Sequence, residues 1–298
     1  MSDSLWRPGR RSMILGAAAL GATGTGLARA AAGDPFAALE AETGGRIGVA
    51  ALDGHSGRLI GWRLDERFAM ASTFKVLLAA AVLAQVDRGR LRLDQAVPYS
   101  EADLLSYAPR TRSHLGQGAM NLADLCAAAL EVSDNTAANL LLPLVGGPAG
   151  VTARLRRWGD PVTRLDRTEP TLNTNLPGDP RDTATPRSFA RTLRRVLTGS
   201  VLSPASRARL AGWMIACETG SGRLRGGLPP GWRAGDKTGT GENGAVNDVA
   251  IAWPPDRAPI IIAAFMSAPG RSADELGGVH GKIARMAIQQ LVRPIVAA

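Results

Sequence analysis

Residues 71–86 have the sequence Ala-Ser-Thr-Phe-Lys-Val-Leu-Leu-Ala-Ala-Ala-Val-Leu-Ala-Gln-Val. This segment is apolar nearly all round, which is typical of a helix enclosed by the protein rather than one on its surface. Ser72 and Lys75 are three positions apart, so a helix places the hydroxyl and the amine on the same face. The segment therefore predicts a buried helix over 72–87 with a polar pair at its amino end.

Lysine is scarce in this chain. Only Lys75, Lys237 and Lys282 occur among 35 basic residues. Arginine cannot lose its proton in a protein, whereas burial lowers the pKa of a lysine and can turn it into a base. Lys75 could then accept the proton of Ser72, directly or through a network. On this pair alone, a simpler interpretation of Ser72 as a helix cap is favoured.

The pattern around this helix changes twice along the chain. A short helix over 34–44, capped by Asp34, precedes alternating residues that predict a β-hairpin over 46–52 and 58–63. Helical patterns follow, then three strands, and a final helix over 272–292. The expected helices are 121–131, 135–142, 149–158, 186–197 and 204–216, and the later strands are 233–238, 245–253 and 259–267.

Strands at both ends of the chain, with helices between them, predict an α/β protein of the α+β kind with two lobes. The α/β lobe comprises 31–64 plus 218–298, and the helical lobe comprises 65–217. A cleft between two such lobes is a natural site for a small molecule.

The composition is that of a globular protein. The 298 residues are 45% hydrophobic, and the formal net charge of +9 would suit a polyanionic partner. The arginines are scattered, however, and the densest group, Arg154, Arg156 and Arg157, is interpreted as a helix face in contact with water. Aromatic residues make up 4% and form no stacking motif, so we expect no nucleic-acid partner.

The first thirty residues have the features of an export signal. Arg10 and Arg11 precede an apolar stretch rich in Gly and Ala, and Ala28 and Ala30 place small residues around a cleavage point. A membrane anchor is the alternative, but the apolar stretch is short and rich in small residues. We expect a twin-arginine-type signal peptide over 1–30, an exported protein that is periplasmic or secreted, and no stable membrane anchor.

Cysteine and histidine are too sparse to predict a metal site. Cys126 and Cys217 are the only cysteines, and the three histidines stand apart in the sequence. We therefore expect no metal, no cofactor and no Ser/His/Asp triad. Cys126 lies in an apolar helical run, which favours a small buried hydrophobe, and the spacing leaves open whether the two cysteines pair.

Two further motifs can be associated with the Ser72–Lys75 pair. Ser133-Asp134-Asn135 lies between two predicted helices, where it could simply cap the second. Lys237-Thr238-Gly239-Thr240 ends a predicted strand, and its glycine and Gly241 allow a backbone or a ligand to approach closely. A cation, a hydroxyl and a free edge N–H at that place could hold a carboxylate and an acyl group.

The order Ser-x-x-Lys, Ser-Asp-Asn, Lys-Thr-Gly resembles that of class A β-lactamases and penicillin-binding proteins. A fourth element separates these two groups. The loop 164–182 has no periodicity and contains Glu169-Pro170-Thr171-Leu172-Asn173, which is similar to the class A Glu-x-x-Leu-Asn motif. The resemblance covers essentially all of the mature chain. It implies an antiparallel five-stranded sheet flanked by helices, with an all-helical lobe and 164–182 as its catalytic loop.

The resemblance also implies a role for each motif residue. Ser72 would be the nucleophile, and either Lys75 or Glu169 would be the base for acylation. Ser133 would relay a proton to the departing nitrogen, and Glu169 with Asn173 would position the water for deacylation. The backbone N–H groups of Ser72 and Thr240 would form the oxyanion hole. The substrate-binding residues implied are Asn135, Asn173, Lys237, Thr238, Gly239, Thr240, Arg223 and Tyr107.

Three arginines have specific expectations in this resemblance. Val246 stands where many members of the family have an arginine that assists carboxylate binding, so Arg223 is expected to do this instead. A solvent-facing charge is the alternative for Arg223. Arg225 is expected to pair with Asp236. Arg167 and Asp182 match an ion pair that pins the two ends of the catalytic loop.

The function implied is hydrolysis of the β-lactam ring of penicillins and cephalosporins through a serine acyl-enzyme, which confers antibiotic resistance. We expect a monomer that acts on small-molecule β-lactams. The alternatives are a D,D-peptidase and a non-hydrolysing penicillin-binding sensor of the same fold. Glu169 and Asn173 argue against both, because neither alternative needs a residue pair for deacylation.

Overall fold

The computed structural model describes Met1 and residues 33–292, so the expected signal peptide over 1–30 lies outside the described residues apart from Met1. Five strands form an antiparallel sheet: β1 (Arg46–Asp53), β2 (Leu59–Trp62), β7 (Arg233–Thr240), β8 (Ala245–Trp253) and β9 (Ile260–Ser267). Their order in the sheet is β2-β1-β9-β8-β7. The predicted fold class is confirmed.

Helices lie on both faces of this sheet, and seven of them lie between β2 and β7 in the chain. They are α1 (Pro35–Thr43), α2 (Phe74–Val86), α3 (Pro109–Ser113), α4 (Leu122–Glu131), α5 (Asn135–Leu141), α6 (Gly147–Arg157), α7 (Pro186–Thr198), α8 (Pro204–Ile215) and α9 (Ala273–Val292). Short 3₁₀ helices include Ala71–Thr73, Thr171–Asn173 and Leu224–Gly227. Within residues 33–292, no helix has the length and hydropathy needed to cross a bilayer.

The sheet joins the two ends of the chain because β1 pairs with both β2 and β9. Val49, for example, lies opposite Trp62 on one side and Ala264 on the other. Successive residues of β1 alternate between two cores, since side chains along a strand point to opposite faces. Val49 packs in the cluster with Phe36 of α1 and Leu276 of α9. Its neighbour Ala50 belongs to the other cluster, which includes α7 and α2.

The predicted buried helix is observed as α2, and it is enclosed by the helical region. Its residues from Phe74 to Ala84 are all buried, and it contacts α4, α5 and α8. The expected start at Ser72 differs, because residues Ala71–Thr73 form a 3₁₀ turn before the α-helix begins. Ala71 has a φ of 44°, a conformation that a non-glycine residue adopts only under local constraint.

The prediction missed four short strands. Two pairs of short strands were not expected: β3 (Phe68–Ala69) with β6 (Thr183–Ala184), and β4 (Ala96–Pro98) with β5 (Ala119–Asn121).

The interpretation of Arg154 as water-exposed was wrong, because this side chain is buried. Its Nη1 donates to the carbonyl oxygens of Val145 and Gly150, which holds this end of the guanidinium away from solvent.

Candidate active site

The turn that carries Ser72 is attached to the sheet by one side chain. Asn247 of β8 donates from Nδ2 to the carbonyl oxygens of Ala69 at 2.9 Å and Met70 at 3.0 Å. The Thr73 hydroxyl donates to Met70 O at 2.7 Å. These bonds hold Ser72 at the amino end of α2, where the backbone N–H groups have no helical partner.

The Ser72 side chain does not cap the helix. The structure has no side-chain cap bond at the start of the 3₁₀ turn or of α2. Instead Ser72 Oγ donates to Glu169 Oε1 at 3.3 Å. The helix-cap interpretation of Ser72 was therefore wrong, and the hydroxyl is directed at a carboxylate that could receive its proton.

The amine of Lys75 is completely buried among oxygen atoms. Its Nζ lies 2.8 Å from Ser133 O, 2.6 Å from Asn135 Oδ1 and 3.0 Å from Glu169 Oε1. With Ser133 Oγ farther away at 3.3 Å, four oxygens surround the three hydrogens of an ammonium group, so one hydrogen is shared between two of them. Burial, the larger effect, lowers the pKa of Lys75, while the neighbouring Glu169 carboxylate raises it. Lys75 therefore holds a proton that it can give up more easily than an exposed lysine can.

The Ser133–Asn135 turn combines the two interpretations that the sequence left open. Asp134 caps α5 by accepting from Ala137 N at 2.9 Å, and it also accepts from Thr111 N at 2.9 Å. This capping is the structural role expected for the motif. Ser133 has a φ of 60°, and its hydroxyl and the Asn135 amide face Lys75. One buried carboxylate thus fixes a turn whose other two side chains belong to the site.

Lys237 completes a pair of cations around one hydroxyl. Its Nζ donates to Ser133 Oγ at 3.0 Å and to Thr238 O at 2.9 Å, while Lys75 donates to the same Oγ at 3.3 Å. Burial and the nearby Lys75 lower the pKa of Lys237 to about 8. With both lone pairs of Ser133 Oγ occupied, its own hydrogen is left to be donated elsewhere.

Glu169 is held by side-chain and backbone contacts at once. Its carboxylate is fully buried, and Oε2 accepts from Asn173 Nδ2 at 2.6 Å. Its backbone N–H donates to Asn139 Oδ1 at 3.0 Å, and its carbonyl accepts from Asn139 Nδ2 at 2.9 Å. Asn139 was not identified from the sequence. The spacing could have identified it, because Asn139 lies four residues after Asn135 and therefore on the same face of α5.

The two ends of the loop 164–182 are pinned as expected. Arg167 Nε lies 2.5 Å from Asp182 Oδ2, which confirms the predicted pair. Asp182 Oδ1 also accepts from the backbone N–H groups of Asp166 at 2.7 Å and Arg167 at 2.9 Å. The fully buried Asp182 is thus satisfied by three donors, which an exposed surface pair would not provide.

The edge strand β7 closes the site from the sheet side. A Cβ at Gly239 would lie 2.9 Å from Met70 O, and one at Gly241 would lie 2.7 Å from Asn173 O. Real Cβ atoms rarely approach a backbone so closely, so both positions need glycine for the strand to reach the Ser72 turn and the catalytic loop. The approach that the sequence predicted is made by the protein's own backbone.

Arg223 lies against the end of this strand. Its Nη1 donates to Gly239 O at 3.0 Å and Asn247 O at 2.6 Å, and its Nη2 donates to Thr240 Oγ1 at 2.7 Å. The second arginine of this segment, Arg225, lies with its Nε 2.6 Å from Asp236 Oδ1, which confirms that predicted pair.

All the residues predicted for the site lie in one connected region. Tyr107 is 50% exposed at its edge, and its carbonyl accepts from Asn135 N at 3.0 Å. The members joined by the contacts above are Ser72, Lys75, Tyr107, Ser133, Asn135, Glu169, Asn173, Arg223, Lys237, Thr238, Gly239 and Thr240. Cys126 and Cys217 are both buried free thiols. Cys126 lies in α4, which confirms it as a small buried hydrophobe, whereas Cys217 lies beside the strand that carries Lys237.

This arrangement is that of a serine acyl-transfer enzyme. The Ser72 hydroxyl lies beside a buried lysine and a buried carboxylate, and a second lysine, Lys237, contacts the Ser133 hydroxyl. Residues 32–291 match the model of the β-lactamase enzyme family. The chain belongs to this family, and its relatives identify it as a class A member.

The relatives cover most of the chain. β-Lactamase L2 of Stenotrophomonas maltophilia is 52% identical over 253 residues, which are 85% of this chain and 83% of that protein. β-Lactamase CTX-M-8 of Citrobacter amalonaticus is 46% identical over 275 residues, 92% of each chain. Among solved structures, an ancestral class A β-lactamase superposes with a TM-score of 0.84 at 54% identity, over 86% of this chain and 98% of that one.

Proposed function

We propose that the enzyme hydrolyses the β-lactam ring of penicillins and cephalosporins through an acyl-enzyme on Ser72, and thereby confers antibiotic resistance. The observation that carries this proposal is the buried Glu169 carboxylate, which accepts from Ser72 Oγ on one oxygen and from Asn173 Nδ2 on the other. A base fixed beside the nucleophile, with an amide next to it, is what hydrolysis of the ester requires.

In acylation, Ser72 Oγ attacks the lactam carbonyl carbon, and its proton passes to Glu169, whose Oε1 it contacts, or to Lys75 once that amine is neutral. Lys75 reaches Ser72 through the same Glu169 oxygen. The backbone N–H groups of Ser72 and Thr240 receive the oxyanion. Removing one donor of such a hole typically raises the barrier by about 3 to 4 kcal/mol.

Opening of the ring then needs a proton on the departing nitrogen. Ser133 is the donor in this proposal, because its oxygen accepts from Lys75 and Lys237 and its hydrogen is free to leave. The two cations also stabilise the negative charge that the Ser133 oxygen develops as the proton departs.

Before deacylation, the proton taken from Ser72 returns to Ser133 Oγ through Lys75, which contacts both Glu169 and Ser133. Glu169, again a carboxylate, then removes a proton from a water held with Asn173, and this water attacks the ester carbon of acylated Ser72. The new carboxylate forms as Ser72 Oγ takes its proton back. A D,D-peptidase or a penicillin-binding sensor would not need Glu169 and Asn173 so placed, and the relatives reported above are named β-lactamases.

The remaining residues bind the substrate in this proposal. Lys237 and Thr238 hold its carboxylate, with Arg223 adding positive charge through Thr240, and Asn135 holds the acylamide side chain. Tyr107 lines the entrance, where its exposed ring can cover the bound ligand. Gly239 allows the strand edge to approach the ligand.

The broader organisation follows the same proposal. Residues 1–30 act as a twin-arginine-type signal peptide, and the exported enzyme is periplasmic or secreted, without a stable membrane anchor. It acts as a monomer on small molecules and does not bind nucleic acid. Its lobes are 31–64 plus 218–298 and 65–217, with 164–182 as the catalytic loop.

A spectrophotometric assay with a penicillin, a cephalosporin and a carbapenem tests the function. We expect loss of the β-lactam absorbance with the first two, and none with the Ser72→Ala variant. Stoichiometric loss without turnover would instead indicate a penicillin-binding sensor or peptidase.

A further inference from the structure

The thiol of Cys217 lies beside the strand that carries Lys237 and Thr238. Cys217 follows α8 and is only 3% exposed. Its Sγ lies 3.3 Å from Thr219 Oγ1 and 3.7 Å from Asp236 Oδ2. The thiol is therefore within hydrogen-bonding distance of one hydroxyl and one carboxylate.

The Thr219 hydroxyl continues this contact to the site. Thr219 Oγ1 lies 2.6 Å from Thr238 Oγ1, and Thr238 is the hydroxyl assigned above to the substrate carboxylate. Three side chains, Cys217, Thr219 and Thr238, thus form a line from the buried side of the strand to the proposed ligand.

Cys217 has a single hydrogen to donate in this line. Burial and the neighbouring Asp236 carboxylate raise the pKa of Cys217, so the group stays a thiol at neutral pH. Asp236 Oδ2 is the more distant of the thiol's two acceptors, at 3.7 Å, and Arg225 Nε lies 2.6 Å from the other oxygen of this carboxylate, Oδ1. Thr219 Oγ1 is the nearer acceptor, and within residues 33–292 its only side-chain partners are Cys217 and Thr238.

The direction of the thiol bond determines the direction of the next two. When Cys217 donates to Thr219, the Thr219 hydrogen is directed to Thr238, and the Thr238 hydrogen is left for a ligand. In the opposite arrangement Thr238 donates to Thr219 and presents only lone pairs to the ligand. A carboxylate also has only lone pairs, so no hydrogen bond can form between them. The first arrangement is the one that suits an anionic ligand.

We propose that Cys217 is a positioning residue for the substrate carboxylate: its thiol hydrogen orients the hydroxyls of Thr219 and Thr238 so that Thr238 donates to the ligand. This inference rests on the proposed function, because the ligand is the carboxylate next to the β-lactam nitrogen. Cys217 does not touch the substrate and acts only through Thr219.

The test compares Cys217→Ala and Cys217→Ser in steady-state hydrolysis of a penicillin and of its methyl ester. For the free acid, Cys217→Ala should raise KM about two- to tenfold with kcat unchanged, the range of one hydrogen bond in proteins. Cys217→Ser keeps a donor and should restore KM. The ester carbonyl is a weaker hydrogen-bond acceptor than a carboxylate, so KM for the ester should change less than KM for the free acid.

A double-mutant cycle separates positioning from packing. In a Thr219→Val background the line is interrupted, so adding Cys217→Ala should leave KM unchanged. The same rise in KM in both backgrounds, or equal losses for acid and ester, would overturn the inference. If Cys217→Ala does not fold, Cys217→Val replaces it, because valine fills the space of the thiol without a hydrogen-bond donor. The expected rise in KM for the free acid is the same. Wild-type enzyme that fails to hydrolyse the penicillin would instead refute the proposed function.

Discussion

The amine of Lys75 lies 3.0 Å from the carboxylate of Glu169, and both side chains are fully buried. Taking two charges out of water is costly unless further hydrogen bonds satisfy them. Ser133 and Asn135 satisfy Lys75, and Asn173 satisfies Glu169. The pair therefore keeps a proton close to Ser72 that either partner can hold, which is what a reaction with two proton transfers in succession needs.

Replacing Lys75 by arginine should abolish acylation. Arginine keeps a positive charge but cannot give up its proton, and its larger planar head does not fit the three acceptors around Nζ. We expect the acylation rate constant with a penicillin to fall by about 10³, within the range for loss of acid–base catalysis. Stopped-flow measurement gives this rate, and an acylation rate within tenfold of wild type would contradict the role of Lys75.

Substrate affinity should depend on pH through Lys237. Its pKa of about 8 means that its charge is present below pH 8 and is lost as the pH rises above it. We expect KM for a penicillin to rise up to about tenfold between pH 7 and pH 9, since a tenth of the lysine stays protonated one unit above its pKa. Lys237→Arg is the matched control, because arginine stays charged and its KM should stay flat. A flat wild-type profile would show that Lys237 does not bind the carboxylate.

Arg223 should contribute to binding rather than to chemistry. Its guanidinium is bonded to Gly239, Thr240 and Asn247, and no contact reaches the nucleophile. Arg223→Ala should raise KM about tenfold with kcat nearly unchanged, the signature of lost uniform binding. Arg257→Ala is the matched control, because it also removes one arginine but at a position beyond the far end of β8. Its KM should stay at the wild-type value. An unchanged KM in Arg223→Ala would refute its role.

Asn139 should be needed to hold Glu169 in position. Its amide bonds both the N–H and the carbonyl of Glu169, so Asn139→Ala frees the loop backbone at the catalytic carboxylate. Small misplacements of a catalytic group can cost about 10²-fold. We expect deacylation to slow by ten- to a hundredfold while acylation changes less, which would appear as a burst of product before the steady state. Equal slowing of both steps would argue against this role.

The sequence predicted the elements with strong periodicity closely. The helix expected over 186–197 is observed as Pro186–Thr198, because an amphipathic pattern and a proline start are local signals. The pairing of Phe68 with Ala184 is not local. A two-residue strand has no alternation to read, and its partner lies far along the chain.

The same distinction applies to the site. Ser72, Lys75 and Glu169 were identified by short motifs, whereas Asn139 acts only after the catalytic loop packs on α5. Arg154 was misjudged for a different reason, since its acceptors are the carbonyl groups of Val145 and Gly150, which lie close by in the chain but leave no mark on residue type. Contacts that depend on backbone atoms of another element leave little trace in residue types.

The central claim is that Glu169 carries out deacylation, and the Glu169→Ala variant tests it most directly. Intact-protein mass spectrometry after mixing with a penicillin should show a stable adduct of one substrate mass on Glu169→Ala, and none on Ser72→Ala. Release of product from Glu169→Ala at the wild-type rate, with no adduct, would contradict the account.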